Sequence, residues 1–368
     1  MGQYSNTSLG LTIAPTLNCN LRCLYCFENP DTTVMSENVI KKLVEFVSQY
    51  IKKGIKSFST TWYGGEPLMC LGEIQTLSNE LITLCKKNKV DYSAALITNG
   101  TLLDKEKVLK LKKMKVGYVQ ITLDGPREIH DKRRPFRNTG RGSSFDTIMA
   151  NLKEIAGKIP IALRINLDVT NKEQAMDFVS ALMNREWFRK RLQGPNAISP
   201  YYGYVKKYSK SCGCSKEDIL NPDDFWEKDL ELKRYFYKNF KGYEYYSNLS
   251  YGCVATNIQG FVVDASGKLY KCWNHLGFTE KSCGNIFEPL ELQTLSINYL
   301  TESFENDDEC KECKVLPICM GGCVDVRVKS KTGEFDAKDC ASWKYYLEET
   351  IRDYYINKMK QRKDSTAK

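Results

Sequence analysis

An alternating α/β architecture is the fold class this sequence predicts, with six successive βα units forming a TIM-like partial (β/α)6 barrel and a cysteine-rich unit following it. Three observations point there. Between residues 9 and 205, short apolar runs of strand length alternate with amphipathic runs of helical period. Every unusual motif in that half lies at or just after a strand end, where βα barrels carry their chemistry. From Tyr251 onward the alternation stops, and eight of the fifteen cysteines follow.

The strands are expected at Leu9 to Pro15, Ser57 to Tyr63, Tyr92 to Thr98, Tyr118 to Leu123, Ile161 to Val169 and Ile198 to Val205. Val34 to Lys53, Gly72 to Asn88, Asp104 to Lys113, Ser144 to Gly157 and Lys172 to Met183 carry the helical period between them. The domains then divide as a barrel over 1–205, a helical bridge rich in Lys, Tyr and Asn over 206–250, a cysteine unit over 251–345, and a C-terminal helix with a basic tail over 346–368. Phe261 to Tyr270 reads as a hairpin turning at Ser266-Gly267. No internal repeat or low-complexity segment is visible.

Of the 368 residues, 42% are hydrophobic and 27% charged, which excludes a mainly disordered chain. No apolar stretch reaches membrane-spanning length and no signal-peptide core opens the chain, so a cytoplasmic location is expected. The net charge of +9, concentrated at Lys86 to Lys89, Lys110 to Lys115 and the tail from Lys358, fits solvated helix faces or an acidic peptide partner better than nucleic acid or membrane. Fifteen cysteines without a secretion signal are not a disulfide framework; in a reducing compartment they point to zinc or iron-sulfur.

Cys19, Cys23 and Cys26 form C-x3-C-x2-C, with Tyr25 before the last cysteine. Three thiolates cannot saturate a tetrahedral zinc or the four irons of a [4Fe-4S] cluster, so one coordination site stays open. A zinc site borrowing a histidine is disfavoured, because His130 and His275 are the only two. This loop resembles the signature of the radical S-adenosylmethionine (radical SAM) superfamily. The resemblance implies that the open iron takes the amino and carboxylate groups of S-adenosylmethionine. One electron then cleaves the sulfonium, and the resulting 5'-deoxyadenosyl radical abstracts a substrate hydrogen.

The other strand-end motifs fit the same resemblance. Gly64 and Gly65 allow close approach of the backbone to a ligand, while Glu66-Pro67 stiffens the turn. In the family this GGEP motif receives the amino group of S-adenosylmethionine. Thr98 and Asn99 of Thr98-Asn99-Gly100 are further candidate cofactor contacts. The resemblance places Thr122 near the cofactor and Asp124 near the substrate, as the candidate catalytic residue. Asp124-Gly125-Pro126 is also simply a good turn. Arg164 and Asn166 share one face of their strand, facing the cofactor or forming a buried salt bridge or cap.

The C-terminal cysteines run Cys253, Cys272, Cys310, Cys313, Cys319, Cys323 and Cys340. Zinc would explain the Cys-x2-Cys pair but leaves an odd seventh ligand. The spacing resembles, cysteine for cysteine, the SPASM domain of radical SAM peptide maturases, which implies two auxiliary [4Fe-4S] clusters and hence three in the chain. By that resemblance Cys310, Cys313, Cys319 and Cys340 ligate the outer cluster, and Cys253, Cys272 and Cys323 the inner one. A family position for a further cysteine is Ser247 here. The inner cluster is therefore left open to a substrate thiolate or water, or is completed by Cys283, Cys212 or Cys214. Cys70 and Cys85 read as buried thiols.

Two enzyme classes share this architecture. Anaerobic sulfatase maturases make formylglycine and, by the resemblance, use an Asp directly after the second SPASM cysteine as base; that position is Trp273. Trp62 to Leu68, Lys271 to Asn274 and Cys283 to Ile286 look more like maturases of ribosomally made peptides, which install thioether or carbon-carbon crosslinks. The expected function is that crosslinking, with sulfatase maturation as the alternative and an electron carrier or zinc structural protein as the reading from another class. Expected partners are a peptide substrate with an acidic leader and a low-potential donor such as flavodoxin or ferredoxin; because the first strand begins within ten residues of Met1, the leader is expected to be recognised by the barrel, by the basic surface or by a separate leader-binding protein.

Overall fold

A computed structural model describes residues 6–206, 213, 215, 217–239, 253–289, 294–331, 340–341 and 343–366. The chain divides into two compact units, one of Met1–Ile219 with Cys253–Leu300 and one of Leu220–Gly252 with Thr301–Lys368. No helix among the described residues is long and apolar enough to cross a membrane.

The first unit is built on one sheet. Strands Ser8–Ile13 (β1), Ser57–Trp62 (β2), Asp91–Ile97 (β3), Val116–Thr122 (β4), Ile161–Leu167 (β5) and Ile198–Tyr204 (β6) lie in sequential order, each parallel to the next. This is the order that successive βα crossovers produce. The connecting helices are Glu37–Lys52 (α1), Leu71–Lys87 (α2), Lys105–Lys113 (α3), Arg127–Arg133 (α4), Ser144–Ile155 (α5), Ala175–Met183 (α6) and Glu186–Arg189 (α7). Their starts are chemically marked: Ser36, Asp104 and Ser143 accept from the amides of Val39, Lys107 and Asp146 at 3.3, 2.8 and 3.0 Å.

Gly260–Val263 (β7) and Lys268–Tyr270 (β8) form the expected antiparallel hairpin, and Gly284–Asn285 (β9) continues it. β7 also pairs parallel with β1, extending the sheet to nine strands in the order β6-β5-β4-β3-β2-β1-β7-β8-β9. Ala14, Leu17, Val262, Tyr270 and Leu276 close into one apolar cluster at this junction, so the segment after residue 253 shares its core with the strand that leads into the cysteine loop.

The second unit is helical. Pro222–Asn239 (α8) packs on Trp343–Thr366, and Arg234 Nε donates to Asp353 Oδ2 at 2.6 Å between them. Cys310 lies in the short helix Asp308–Lys311 and Cys319 ends the short helix Leu316–Cys319, while Cys323 directly precedes the helix Val324–Lys331.

Candidate active site

The three-cysteine loop leaves the C-terminal end of β1 and is gripped from two sides. On one side the Gly64-Gly65 turn after β2 packs on it: Gly65 N donates to Thr16 O at 3.2 Å and Glu66 N to Asn18 O at 2.9 Å. A Cβ on Gly64, whose φ is +100°, would lie 2.4 Å from Thr16 O, and one on Gly65 2.3 Å from Asn18 O. These glycines thus admit the approach of backbone 16–18, a tighter reason for glycine than the approach of a ligand. On the other side residues 133–137 run antiparallel to the loop: Leu24 N donates to Arg133 O, Arg22 N to Pro135 O and Arg137 N to Asn20 O, at 2.9, 2.8 and 2.9 Å.

The Thr98-Asn99-Gly100 turn after β3 organises both the loop and Glu66. Asn99 Nδ2 donates to Asn20 Oδ1 at 2.8 Å and reaches Cys19 Sγ at 3.7 Å. Glu66, fully buried, accepts from Thr98 Oγ1 at 2.8 and 3.0 Å, Asn99 N at 2.8 Å and Leu68 N at 3.0 Å. All of these donors are neutral. Burial pushes the Glu66 carboxyl up despite these bonds, so a cationic group such as an amino group would be well received beside it. Burial likewise pushes the Cys19 and Cys26 thiols up to about 12, with charge on Cys23 adding to both. Three thiols that cannot ionise alone, on one loop, suit a donor set that needs the positive charge of iron.

Asp124, at the end of β4, has no exposed surface. Its Oδ1 accepts from Asn166 N at 3.1 Å; its Oδ2 accepts from the Tyr25 hydroxyl and from Arg133 Nε at 3.4 Å. Burial works against the Asp124 charge, but Arg133, Arg134 and His130 outweigh it and hold the carboxyl below its usual range. Tyr25 also accepts from Asn166 Nδ2 at 2.9 Å and Arg134 Nη1 at 2.5 Å. Arg164 Nε donates to Asn166 Oδ1 at 2.6 Å, which joins the two same-face residues of β5. Thr122 is buried beside them in the sheet, in register with Arg164.

Five residues outside the sequence reading belong to this neighbourhood. Arg133 and Arg134 are only 4% and 6% exposed, and Arg133 ion-pairs with Asp168 as well as Asp124. Glu28 is buried, and burial raises its carboxyl to about 7 against the Tyr63 hydroxyl bond that lowers it, with the Glu66 charge adding to the rise. The Tyr63 ring in turn stacks on Trp273, with centroids 5.5 Å apart and planes 29° from parallel. An acidic residue two places past the last cysteine and an aromatic one before Gly64 were the only signals available in the sequence.

In the second unit Cys310, Cys313, Cys319 and Cys340 line one cavity, with Arg327 and Lys344 also on its wall. Asp307 accepts from Cys310 N at 3.1 Å, and Met320, Gly321 and Gly322 all take positive φ, turning the chain sharply between Cys319 and Cys323. Four thiols around one cavity are the donor set of a fully ligated [4Fe-4S] cluster. In the first unit Cys253 is exposed, while Cys272 and Cys283 are buried. Cys70 and Cys85 are buried thiols at 3% and 1% exposure. Cys212, Cys214 and Ser247 lie outside the described residues.

The chain resembles known proteins over nearly its whole length. It is 26% identical to the cysteine-type anaerobic sulfatase-maturating enzyme of Clostridium novyi (strain NT), over 94% of this chain and 96% of that protein. It is 25% identical to the serine-type enzyme of Klebsiella pneumoniae over 83% of this chain and 78% of that protein. Among solved structures, anSMEcpe with bound AdoMet and Cp18Cys peptide has a TM-score of 0.69 at 21% identity, covering 95% of this chain and 99% of that one. Streptococcus suis SuiB bound to its precursor peptide SuiA has a TM-score of 0.61 at 18% identity, covering 92% and 76%. Both structures share the fold. The sequence profile of the Radical SAM superfamily matches residues 13–182, the span that holds the cysteine loop, Glu66, Asp124 and Asn166. Residues 13–182 are a radical SAM domain, and the chain is an enzyme of that superfamily whose cofactors are S-adenosylmethionine and [4Fe-4S] clusters.

Proposed function

We propose that this enzyme is a peptide maturase of the cysteine-oxidising, sulfatase-maturating kind, converting a peptide cysteine to formylglycine. The observation that carries the reading is extent: the likeness to the Clostridium novyi enzyme runs through both cysteine regions, over 94% of this chain and 96% of that protein. These relatives favour formylglycine formation over the crosslinking that the local motifs suggest.

In this reading Cys19, Cys23 and Cys26 hold the cluster that takes S-adenosylmethionine. Cys310, Cys313, Cys319 and Cys340 hold a second cluster. When bound, these groups supply the reductive cleavage and the radical chemistry. The chain supplies position. Glu66, itself fixed by Thr98 and Asn99, accepts the amino group of S-adenosylmethionine, and Thr122, Arg164 and Asn166 complete the wall beside it. Glu66 and Asp124 have no exposed surface, so both carboxyls are screened from bulk water.

A second reading, installation of a thioether or carbon-carbon crosslink, is favoured by one observation. Trp273 stands directly after Cys272, where the resemblance to sulfatase maturases calls for an aspartate base, and its ring is occupied in the stack on Tyr63.

Anaerobic incubation of the reconstituted enzyme with S-adenosylmethionine, dithionite and a synthetic cysteine peptide, read by mass spectrometry, tests both. Replacement of the thiol sulfur by an aldehyde oxygen is the expected product. A peptide that keeps its sulfur and has lost two hydrogens identifies the crosslinker instead. An enzyme that forms no 5'-deoxyadenosine overturns both readings.

A further inference from the structure

The strap formed by residues 133–137 begins with two buried arginines, and together they close a network around the ring of Tyr25. Arg133 Nε reaches Asp124 Oδ2 at 3.4 Å, its Nη1 reaches Asp168 and, at 2.8 Å, Thr170 Oγ1, and its Nη2 reaches Asn166 O at 3.1 Å. Arg134 Nη1 donates to the Tyr25 hydroxyl at 2.5 Å. The two guanidinium groups lie 5.0 and 6.0 Å from the centroid of the Tyr25 ring. Arg133 pairs with both aspartates, Asp124 and Asp168, while Arg134 is held by the Tyr25 hydroxyl.

A buried network attached to a loop by both backbone and side chain restrains that loop. The backbone rungs at 2.8 to 2.9 Å tie residues 20, 22 and 24 to the strap. Tyr25, the next residue, is tied through its hydroxyl to β4 by Asp124 and to β5 by Asn166. Cys23 and Cys26 flank these anchor points. We propose that Arg134, with Arg133 behind it, is a positioning residue that sets the spacing of Cys23 and Cys26 for cluster binding. This rests on the reading that Cys19, Cys23 and Cys26 are the ligands.

Arg134→Met is the discriminating variant, because it leaves the rungs of the strap and the ion pairs of Arg133 in place. The reconstituted full-length enzyme is assayed for iron per chain, for the rate of iron release to a chelator, and for the change that S-adenosylmethionine causes in the electron paramagnetic resonance of the dithionite-reduced protein. Cys23→Ala marks what loss of this one cluster looks like. The expected result for Arg134→Met is iron release from the same cluster about tenfold faster than wild type, the factor of a lost hydrogen bond to a charged group, with the response to S-adenosylmethionine lost. Arg134→Lys, which keeps the charge, restores part of the retention.

Wild-type release and an unchanged resonance response in Arg134→Met overturn the inference. If Cys23→Ala binds as much iron as wild type, the ligand assignment itself fails, whatever Arg134 does. Should Arg134→Met be insoluble, Tyr25→Phe removes the shared hydroxyl alone: faster release supports the positioning role and wild-type release overturns it.

Discussion

Asn99 reaches across the mouth of the sheet to Cys19, its Nδ2 lying 3.7 Å from the sulfur and 2.8 Å from Asn20 Oδ1, while its own Oδ1 accepts from Thr101 N at 2.9 Å. One amide thereby joins the turn after β3 to the first cysteine of the loop. Asn99→Ala removes the donor and leaves Asn20 with one partner fewer. We expect a weakened hold on S-adenosylmethionine, by roughly tenfold for a lost hydrogen bond to a charged group, with the fold intact. Equilibrium binding of S-adenosylmethionine to the reconstituted variant checks this, and unchanged affinity would contradict it.

Gly65 meets backbone, which cannot move aside as a side chain can. A Cβ there would stand 2.3 Å from Asn18 O and 2.6 Å from Leu17 O. Gly65→Ala should cost roughly 1–3 kcal/mol, the usual range for overpacking, and should push Glu66 away from the cysteine loop. Gly72 in α2 has nothing within 4 Å of its added Cβ, so Gly72→Ala should be neutral or stabilising by roughly 0.5–1 kcal/mol. Urea midpoints of the two variants, measured side by side, separate a contact effect from a general one.

The four cysteines on the cavity of the second unit predict independent loss. Cys313→Ala should remove about four irons, one [4Fe-4S] cluster, while 5'-deoxyadenosine formation with dithionite remains measurable. Iron analysis with a deoxyadenosine assay decides it. Full iron content in the variant would mean that this cavity holds no cluster.

The strands and the long helices were legible because their apolar periods are local; β2, for example, is expected at Ser57 to Tyr63 and observed at Ser57–Trp62. Helix α4 was not legible. Its sequence Arg-Glu-Ile-His-Asp-Lys-Arg is seven residues long, too short to show a period, and six of its seven side chains are ionisable or histidine. For the same reason nothing in the sequence singled out Arg133 and Arg134, which are buried against Asp124, Asp168 and Tyr25. The partners that make such burial favourable come from distant parts of the chain, and no local pattern announces them. The hairpin of β7 and β8 was visible, yet its parallel pairing to β1, some 250 residues earlier, was not. In the site, the cysteine spacing and the strand-end motifs carried the information, whereas Glu28 and the Tyr63–Trp273 stack needed coordinates.

His130 gives a pH prediction whose sign can be worked out. It is fully buried, its Nδ1 accepts from Asp124 N at 3.1 Å, and its ring meets Phe145 edge-on. Burial, then the Arg134 cation, pushes its pKa down to about 4, with Asp124 and Asp131 pulling the other way. The folded state therefore holds the neutral ring. Above pH 6.5 the unfolded chain is neutral there too and no penalty exists; below it the unfolded chain gains a proton that the folded one refuses, and stability falls until the pH reaches about 4. Between pH 7 and 5.5 the loss is about 1.4 kcal/mol, one pK unit. His130→Asn keeps an acceptor for the Asp124 amide and cannot titrate. It should be less stable than wild type at pH 7, because the smaller side chain leaves space, but should lack this share of the slope. Urea unfolding of both proteins at pH 7 and 5.5 makes the comparison, and equal losses in the two would show that His130 is not the group responsible.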